Sequence, residues 1–316
     1  RSTQAKTLFP YTTLFRSPPM TLIQTLQSIA LQAIGQRVRS VAGSASTLDD
    51  FKTPLGDPGL FGPQSMAWRV HEHFTAMMVG GLSSLMVQAL HPRALAAVWD
   101  HSDFRNNLKA RLGRTAYFVA ATTYGGRAQA LRAIERVNAI HAGLKGTDLS
   151  GRPYVANEPD LIRWVHLVEV VSFLSGFQHL SRTPLSPAQC DQYMDEMTQV
   201  GHLLGAVDLP RTWKGTCDAL NDYRGVLVFD DRASEIMRLI LAYPADPLDR
   251  PFMALVLQAA FDVTPHWALA LMGRSTACAV QQQVTRLGLR VSAEPVQWML
   301  DQQGVAPTAR RRAWGK

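Results

Sequence analysis

Cysteine is scarce in this chain of 316 residues: the three that occur, Cys190, Cys217 and Cys278, lie far apart and form no CxxC pair. An odd, sparse set argues against a disulfide framework and against a cysteine-based zinc site. It favours a reducing compartment, so we expect a cytoplasmic protein. Long apolar runs are also missing, because polar residues and proline stop or break the two longest candidates, Ala76–Leu90 and Phe252–Met272. We therefore expect buried helices and no transmembrane span, while peripheral membrane contact stays open.

The sequence also lacks the motifs of several common enzyme classes. It has no GxGxxG after a strand, no phosphate-binding GxxxxGK[ST], no GxSxG nucleophile elbow, no HExxH zinc pair and no EF-hand loop. The run His71-Glu72-His73 resembles a metal motif. Helix neighbours one and two residues apart do not share a face, however, so we do not expect both histidines to hold one ion.

Positive charge is in excess, with a net charge of +7, but it is concentrated at the two ends. The first nineteen residues carry three basic side chains and no acid, and the last eight carry four basic side chains and no acid. The body between them is neutral, so the composition excludes a basic nucleic-acid-binding face and we expect no nucleic-acid partner.

The ends also differ from the body in pattern. Residues 1–19 begin without Met and show neither a helical nor a strand period, whereas Met20 opens a helix-like segment. They have no long apolar region of the kind that a signal peptide contains. We expect residues 1–19 to be a non-native or disordered leader, residues 20–300 a single helical domain, and residues 301–316 a basic flexible tail.

Apolar residues recur every three or four positions along most of the body, and alternating runs are rare. This period predicts an all-α fold in one large domain. The loop TDLSGRPYVANE should end with Asn157 as the N-cap of the next helix. The one strand candidate is Gly225–Phe229, for which a buried helical turn fits equally well. The predicted helices include Met66–Leu90, Arg93–Trp99, a helix capped by Asp103, Leu131–Leu144, Leu161–Leu180, one that begins at Ser186-Pro187, Arg232–Tyr243, Pro251–Val263 and Pro265–Leu287.

Polar residues inside these apolar helices are the candidate site residues. Arg111, Arg114 and Thr115 stand at i, i+3 and i+4, so they line one stripe of a helix. His141 falls on the core stripe of its helix, and His166 lies on a helix that is apolar on nearly every side. Each has a simpler interpretation: a core histidine is usually a hydrogen-bonded structural residue, and an Arg-Arg-Thr stripe is usually a surface salt-bridge face.

Taken together, these residues suit a haem site. Haem needs a neutral imidazole on its iron, an apolar envelope and cationic partners for its propionates. A core histidine on one helix and arginines on another supply these groups. The sequence has no CxxCH, so covalent attachment is excluded and the haem would be b-type.

Several motifs occur in the order found in one oxygenase family. These are HP at His91-Pro92, then RxxRT from Arg111, IHxxxxG from Ile140, GxxYxA from Gly151, and WVH ending at His166. On these motifs the chain resembles the MpaB-type oxygenases, a family that includes the catalytic domain of latex-clearing rubber oxygenases. The resemblance covers about residues 56–210, roughly half of the chain.

The resemblance implies a globin-like helical core that binds b-type haem. It places Arg111, Arg114 and Thr115 on the distal, catalytic side, with Arg111 also contacting the cofactor. His141 matches the iron ligand. His166 matches a further histidine that contacts the cofactor, and on spacing alone it competes with His141 for the iron.

Two departures from the rubber oxygenases bear on the substrate. Arg114 stands where they carry a lysine able to cap the iron, and a guanidinium is a poor iron ligand. Asn138 replaces the arginine that precedes the ligand histidine. We therefore expect O₂ and a small apolar substrate, lipid-like or terpenoid-like, rather than polyisoprene. A haem carrier or sensor and a haem-free helical binding protein remain alternatives, and the sequence does not indicate the oligomeric state.

Overall fold

The computed structural model describes residues 48–243, 247 and 249–316. The leader predicted for residues 1–19, and residues 20–47 of the predicted domain, lie outside the described part. Within it, helices dominate and the one sheet is a two-stranded hairpin. The prediction of an all-α single domain is confirmed.

The helices follow one another through short connections. In chain order they are α1 Met66–His71, α2 Phe74–Gln88, α3 Pro92–His101, α4 Phe104–Tyr124, α5 Arg127–Ala142, α6 Pro159–Leu180, α7 Pro187–Leu204, α8 Trp213–Asp222, α9 Asp231–Leu241, α10 Arg250–Val263, α11 His266–Leu271, α12 Ala279–Gln303 and α13 Val305–Ala313. Two 3-10 turns, Leu48–Phe51 and Tyr223–Val226, and the strands β1 Lys145–Thr147 and β2 Pro153–Val155 complete the described elements.

The centre of the molecule is the pair of apolar helices α2 and α6. Glycines let their backbones approach closely: a Cβ at Gly80 would lie 2.6 Å from the carbonyl oxygen of Ser172, and one at Gly176 would lie 2.6 Å from that of Ala76. Helix α10 packs on α2 as well, and α7 and α8 pack on α6. Helix α6 provides the inner wall of the candidate site, and its packing in this core holds that wall in place.

Two predicted long helices are each broken in the structure. Met66–Leu90 is divided at Glu72-His73, where the Nδ1 atom of His73 accepts a hydrogen bond from the N–H of Ala76 (3.3 Å) and caps α2. Pro265–Leu287 is also divided: α11 ends at Leu271, and Gly273 follows it with a positive φ of 67°. Both breaks are caused by local capping, which apolar periodicity does not detect.

Three local predictions are also corrected. The segment predicted as a plain loop contains the β1–β2 hairpin, and the N-cap of α6 is Glu158 rather than Asn157. The strand candidate Gly225–Phe229 is not a strand: its start belongs to a 3-10 turn, and the N–H of Val228 bonds to the carbonyl oxygen of Leu90 (2.8 Å).

The C-terminal segment is ordered, so the prediction of a flexible tail over residues 301–316 is wrong. Helix α12 continues to Gln303, and α13 docks against the 3-10 turn at Leu48–Phe51. Arg312 is only 1% exposed, and its guanidinium donates to the carbonyl oxygens of Asp57 (3.1 Å) and Phe51 (3.4 Å). These hydrogen bonds stabilise the guanidinium of Arg312 inside the protein, whereas the basic composition of this segment suggested that its side chains would be solvated.

Among the described residues, no single helix is long and apolar enough to cross a membrane. The pair α2 and α3 reaches the required length and composition when joined, but it is bent by 104° at His91-Pro92.

Candidate functional site

Helix α4 carries the three predicted distal residues and is interrupted just before them. Asn107 has non-helical angles (φ −143°, ψ 60°), and its Oδ1 atom accepts a hydrogen bond from the N–H of Ala110 (3.1 Å). This side-chain cap restarts the helix directly after Asn107, one turn before Arg111. The local sequence thus sets the direction in which Arg111 leaves the helix.

Arg111 is largely buried and points into the protein. It donates from its guanidinium to Ser102 Oγ (3.2 Å), and no carboxylate of the described part pairs with it. Burial and the nearby charge of Arg114 lower the pKa of Arg111. A largely enclosed guanidinium without an acid is costly unless an anion meets it, so this residue is suited to bind one.

Arg114 and Thr115 lie on the same helix but are exposed. Thr115 donates from its hydroxyl to the carbonyl oxygen of Arg111 (3.4 Å). The predicted stripe is therefore divided: Arg111 faces the interior, while the other two residues face the open side of α4.

His141 ends α5 and is half-buried. Its Nδ1 atom is buried and has no hydrogen-bond partner among the described residues. Burial and the charge of Arg111 lower the pKa of His141. Both effects favour the neutral imidazole, which is the form that a metal requires.

His166 lies on the inner wall, on α6, and is 5% exposed. Its ring packs against Gly201 of α7. Burial, with a smaller contribution from His202, lowers its pKa to about 4. The prediction that His166 lies on a buried helix agrees with its burial, and its contact with a cofactor stays a prediction.

The two predicted histidines border the same end of α7. Asn138, three residues before His141, donates from Nδ2 to the carbonyl oxygen of Leu203 (3.0 Å), while His166 contacts Gly201. Asn138, which stands in place of the family's arginine, therefore ties α5 to α7 in this structure.

An apolar cavity of about 50 Å³ lies among α2, α3, α4 and α9, and Val165 of α6 also lines it. Its lining is aliphatic and aromatic apart from Arg111 and Gln88, and it includes Leu85, Phe104, Val165 and Ile240. A cavity that holds one water has a volume of about 10–15 Å³, so this cavity accepts O₂ or a small apolar group but not a porphyrin.

Exposed apolar side chains lie outside the cavity, near His141. At the ends of α5 and α7, beside His141, Ile140 is 51% exposed and Leu203 is 38% exposed. A neutral histidine, a guanidinium without an acid partner and exposed apolar side chains are the features that haem binding requires. The residues of this region therefore fit a haem chemically.

A hydrogen-bonded network beneath the site was not predicted from the sequence. The Nδ1 atom of His71 lies 2.7 Å from Thr123 Oγ1, and its Nε2 atom lies 3.0 Å from the hydroxyl of Tyr193. Burial lowers the pKa of His71 to about 3. Both ring nitrogens are engaged, so His71 is structural, and the described residues contain no group of three or more metal-ligating side chains.

Glu169 was also missed, although the sequence carried a signal for it. It is an acid in an otherwise apolar helix, one turn after His166. Burial raises its pKa to about 7. Its spacing from His166 places Glu169 on the inner wall. The residue type alone, however, does not distinguish a buried glutamate from an exposed one on a helix surface.

Comparison with known families gives one match. Residues 68–294 match the family described as ER-bound oxygenase mpaB/B′/rubber oxygenase, catalytic domain. Neither the curated proteins nor the solved structures gave a match. The matched range includes α2 to α11 and every candidate site residue described above.

Proposed function

The chain belongs to the mpaB/rubber oxygenase catalytic-domain family, and from this premise we propose that it is a haem b-dependent oxygenase that uses O₂ to oxidise a small apolar substrate. The observation that carries the proposal is the pairing of Arg111 and His141. Arg111 is a largely buried cation with no carboxylate partner among the described residues, and its charge, together with burial, lowers the pKa of His141.

His141 would hold the iron of the haem. A ligating imidazole must be neutral and must have a free nitrogen, and burial of this ring penalises the charged form. His166 would border the haem from α6, where its ring packs against Gly201. The haem, when bound, supplies an iron centre that activates O₂.

Arg111 would stabilise negative charge at the rim of the cavity. Its guanidinium donates to Ser102 and keeps further N–H groups for an anionic or polarised oxygen. Donors fixed before the reaction are effective where charge develops, because they need no reorganisation. The exposed Arg114 and Thr115 extend this polar face along α4, where a propionate or a polar part of a substrate could bind.

The substrate class follows from the cavity. Its lining is apolar except at Arg111 and Gln88, so it favours a hydrocarbon group and excludes a charged one. The small volume favours a short chain or the end of a longer one, which supports a lipid-like or terpenoid-like substrate of modest size.

The direct test is an absorbance spectrum of the protein expressed with added haem. We expect a Soret band near about 400 nm, as for any b-type haem, and oxygen uptake on addition of small alkenes. A spectrum with the band but no uptake with any alkene would identify a haem carrier or sensor instead. No band at any haem concentration would refute the proposal.

A further inference from the structure

The docked C-terminal helix α13 forms one wall of an open pocket of about 220 Å³. The described residues that line this pocket are Lys52, Leu55, Thr308, Arg311, Arg312 and Lys316. Four of these residues are cations, and no acid is among them. They come from α13 and its end and from the segment after the 3-10 turn at Leu48–Phe51, which α13 contacts. The docking of α13 therefore brings together cations that lie far apart in the sequence.

Arg312 is the buried cation of the pocket, with its side chain held by the carbonyl oxygens of Asp57 and Phe51. Its third nitrogen, Nη2, is buried without a hydrogen-bond partner among the described residues. The carboxylate of Asp57 accepts instead from the backbone N–H groups of Gly59 and Arg127 (2.8 Å each). The charge of Arg312 is thus met by carbonyl dipoles rather than by a direct ion pair, and a buried cation of this kind favours an anion nearby.

The other three cations are exposed and keep donors for a ligand. Lys52 pairs with Asp49 (2.6 Å), but both side chains are mostly exposed, and such a pair contributes little free energy. Arg311 donates from Nη2 to the hydroxyl of Thr308 (3.3 Å) and forms no ion pair with the described residues. A phosphate group carries up to two negative charges and three strong acceptor oxygens, which suits several converging cations.

We propose that this basic pocket binds a phosphate group. A cavity that holds one water has a volume of about 10–15 Å³, so the pocket has room for a phosphate group together with bound water. It shares no described lining residue with the apolar cavity, and its described lining lies entirely outside residues 68–294, which match the oxygenase family. The proposal therefore does not rest on haem binding or on oxygenase activity.

Two exposed apolar side chains accompany the cations. Leu55 is 63% exposed within the lining, and Trp314 is 56% exposed, with the Nζ atom of Lys316 5.9 Å from its ring centroid. Exposed apolar and aromatic side chains beside cations are typical of surfaces that bind anionic phospholipids. A phospholipid headgroup and a free phosphate ion present the same chemistry to the pocket, so the experiment must distinguish these two sources.

The first measurement is the binding of inorganic phosphate to the full chain by isothermal titration calorimetry, in a phosphate-free buffer of low ionic strength. Arg311→Gln removes one exposed cation of the pocket, and Arg132→Gln, at an exposed position of α5, is the matched control. Wild type and control should bind phosphate with the same Kd, whereas Arg311→Gln should bind it at least about tenfold more weakly. Lys52→Gln should weaken binding as well, and it provides the comparison if Arg311→Gln does not fold.

The second measurement is co-sedimentation of the same proteins with phosphatidylcholine vesicles that contain or lack phosphatidic acid. Binding that needs phosphatidic acid and is lost in Arg311→Gln would support the pocket and identify a lipid headgroup as its ligand. Binding of inorganic phosphate alone would support the pocket with a free phosphate as its ligand. Equal weakening by Arg311→Gln and Arg132→Gln would refute the site, because the attraction would then follow net charge. Failure of wild type to bind either probe would refute it too.

Discussion

The ring of His166 lies directly over the backbone of Gly201: a Cβ at Gly201 would come within 2.9 Å of its Cδ2 and Nε2 atoms. This contact between α6 and α7 fixes one histidine of the site without a hydrogen bond. A glycine in the middle of a helix usually lowers the stability of the helix, but here the missing side chain leaves space for the imidazole of His166.

Gly201→Ala should therefore displace His166 and the side chain of Leu209, whose Cδ1 atom would lie 2.4 Å from the added Cβ. We expect a loss of about 1–3 kcal/mol in the free energy of unfolding, since overpacking a closed contact forces side chains from their rotamers. Denaturant unfolding measures the loss, and haem uptake should fall with it.

Gly225→Ala provides the control, because a Cβ there would meet nothing within 4 Å. It should change stability by less than about 0.5 kcal/mol. Equal stability of the two variants would show that α7 shifts freely and that His166 is not held by this contact.

The choice between the two histidines can be tested by absorbance. His141→Ala should lose the spectrum of ligated haem, because Nδ1 of His141 has no hydrogen-bond partner among the described residues and exposed apolar side chains lie near its ring. His166→Ala should keep a ligated spectrum, because the ring of His166 is packed against Gly201 and we expect it to border the haem without binding the iron. The reverse result would assign the iron to His166.

Sequence patterns predicted the helical class and most of the helices. The recurrence of apolar residues every three or four positions depends only on the sequence of each helix. They also identified His166 as buried, since its helix is apolar all round. They missed the breaks at His73 and Gly273, which depend on single capping groups and on one positive φ.

Burial of charged residues was the least predictable feature. Arg111 and Arg114 look alike in sequence, yet the first is largely buried and the second is exposed. Arg312 looks like a tail residue and is 1% exposed. These differences depend on which backbone carbonyls and helix ends the fold brings to each guanidinium, and local sequence does not encode that.

Arg111→Ala should leave haem bound and lower oxygen uptake by about 10²-fold, the effect of removing one donor from a developing negative charge. Arg111→Lys should recover only part of the activity, because an ammonium lacks the planar fork of a guanidinium. Arg132→Ala, at an exposed position of α5, should behave as wild type. A failure of Arg111→Ala to fold would instead show that Arg111 serves the fold through Ser102.

Acid should destabilise the protein through His71. Burial lowers the pKa of His71 to about 3 from about 6.5 in the unfolded chain, so the folded state binds its proton less readily. The stabilisation from the neutral ring is complete above about pH 6.5 and is lost as the pH falls toward 3.

His71→Gln keeps one donor and one acceptor but removes the titration. It should be less stable than wild type by about 1–3 kcal/mol near pH 8, since Thr123 or Tyr193 loses its hydrogen bond. The difference should narrow below pH 6 in unfolding experiments at several pH values. A constant difference across the range would show that His71 titrates normally.

The C-terminal helix should be required for stability. Besides its own two hydrogen bonds to carbonyl oxygens, Arg312 accepts at its backbone oxygen from the N–H of Gly56 (2.7 Å). Arg310 forms a bidentate pair with Glu72 (3.0 and 2.8 Å), next to the break between α1 and α2. Arg312→Ala should therefore cost about 1–3 kcal/mol, because the carbonyl oxygens of Asp57 and Phe51 lose their donor, while the backbone bond from Gly56 remains. Arg311→Ala, on the exposed side of the same helix, should cost less than about 0.5 kcal/mol.

Helix α13 holds the segment that precedes α1, so deletion of residues 305–316 should lower the melting temperature by several degrees. An unchanged melting temperature would show that this helix does not stabilise the rest of the fold.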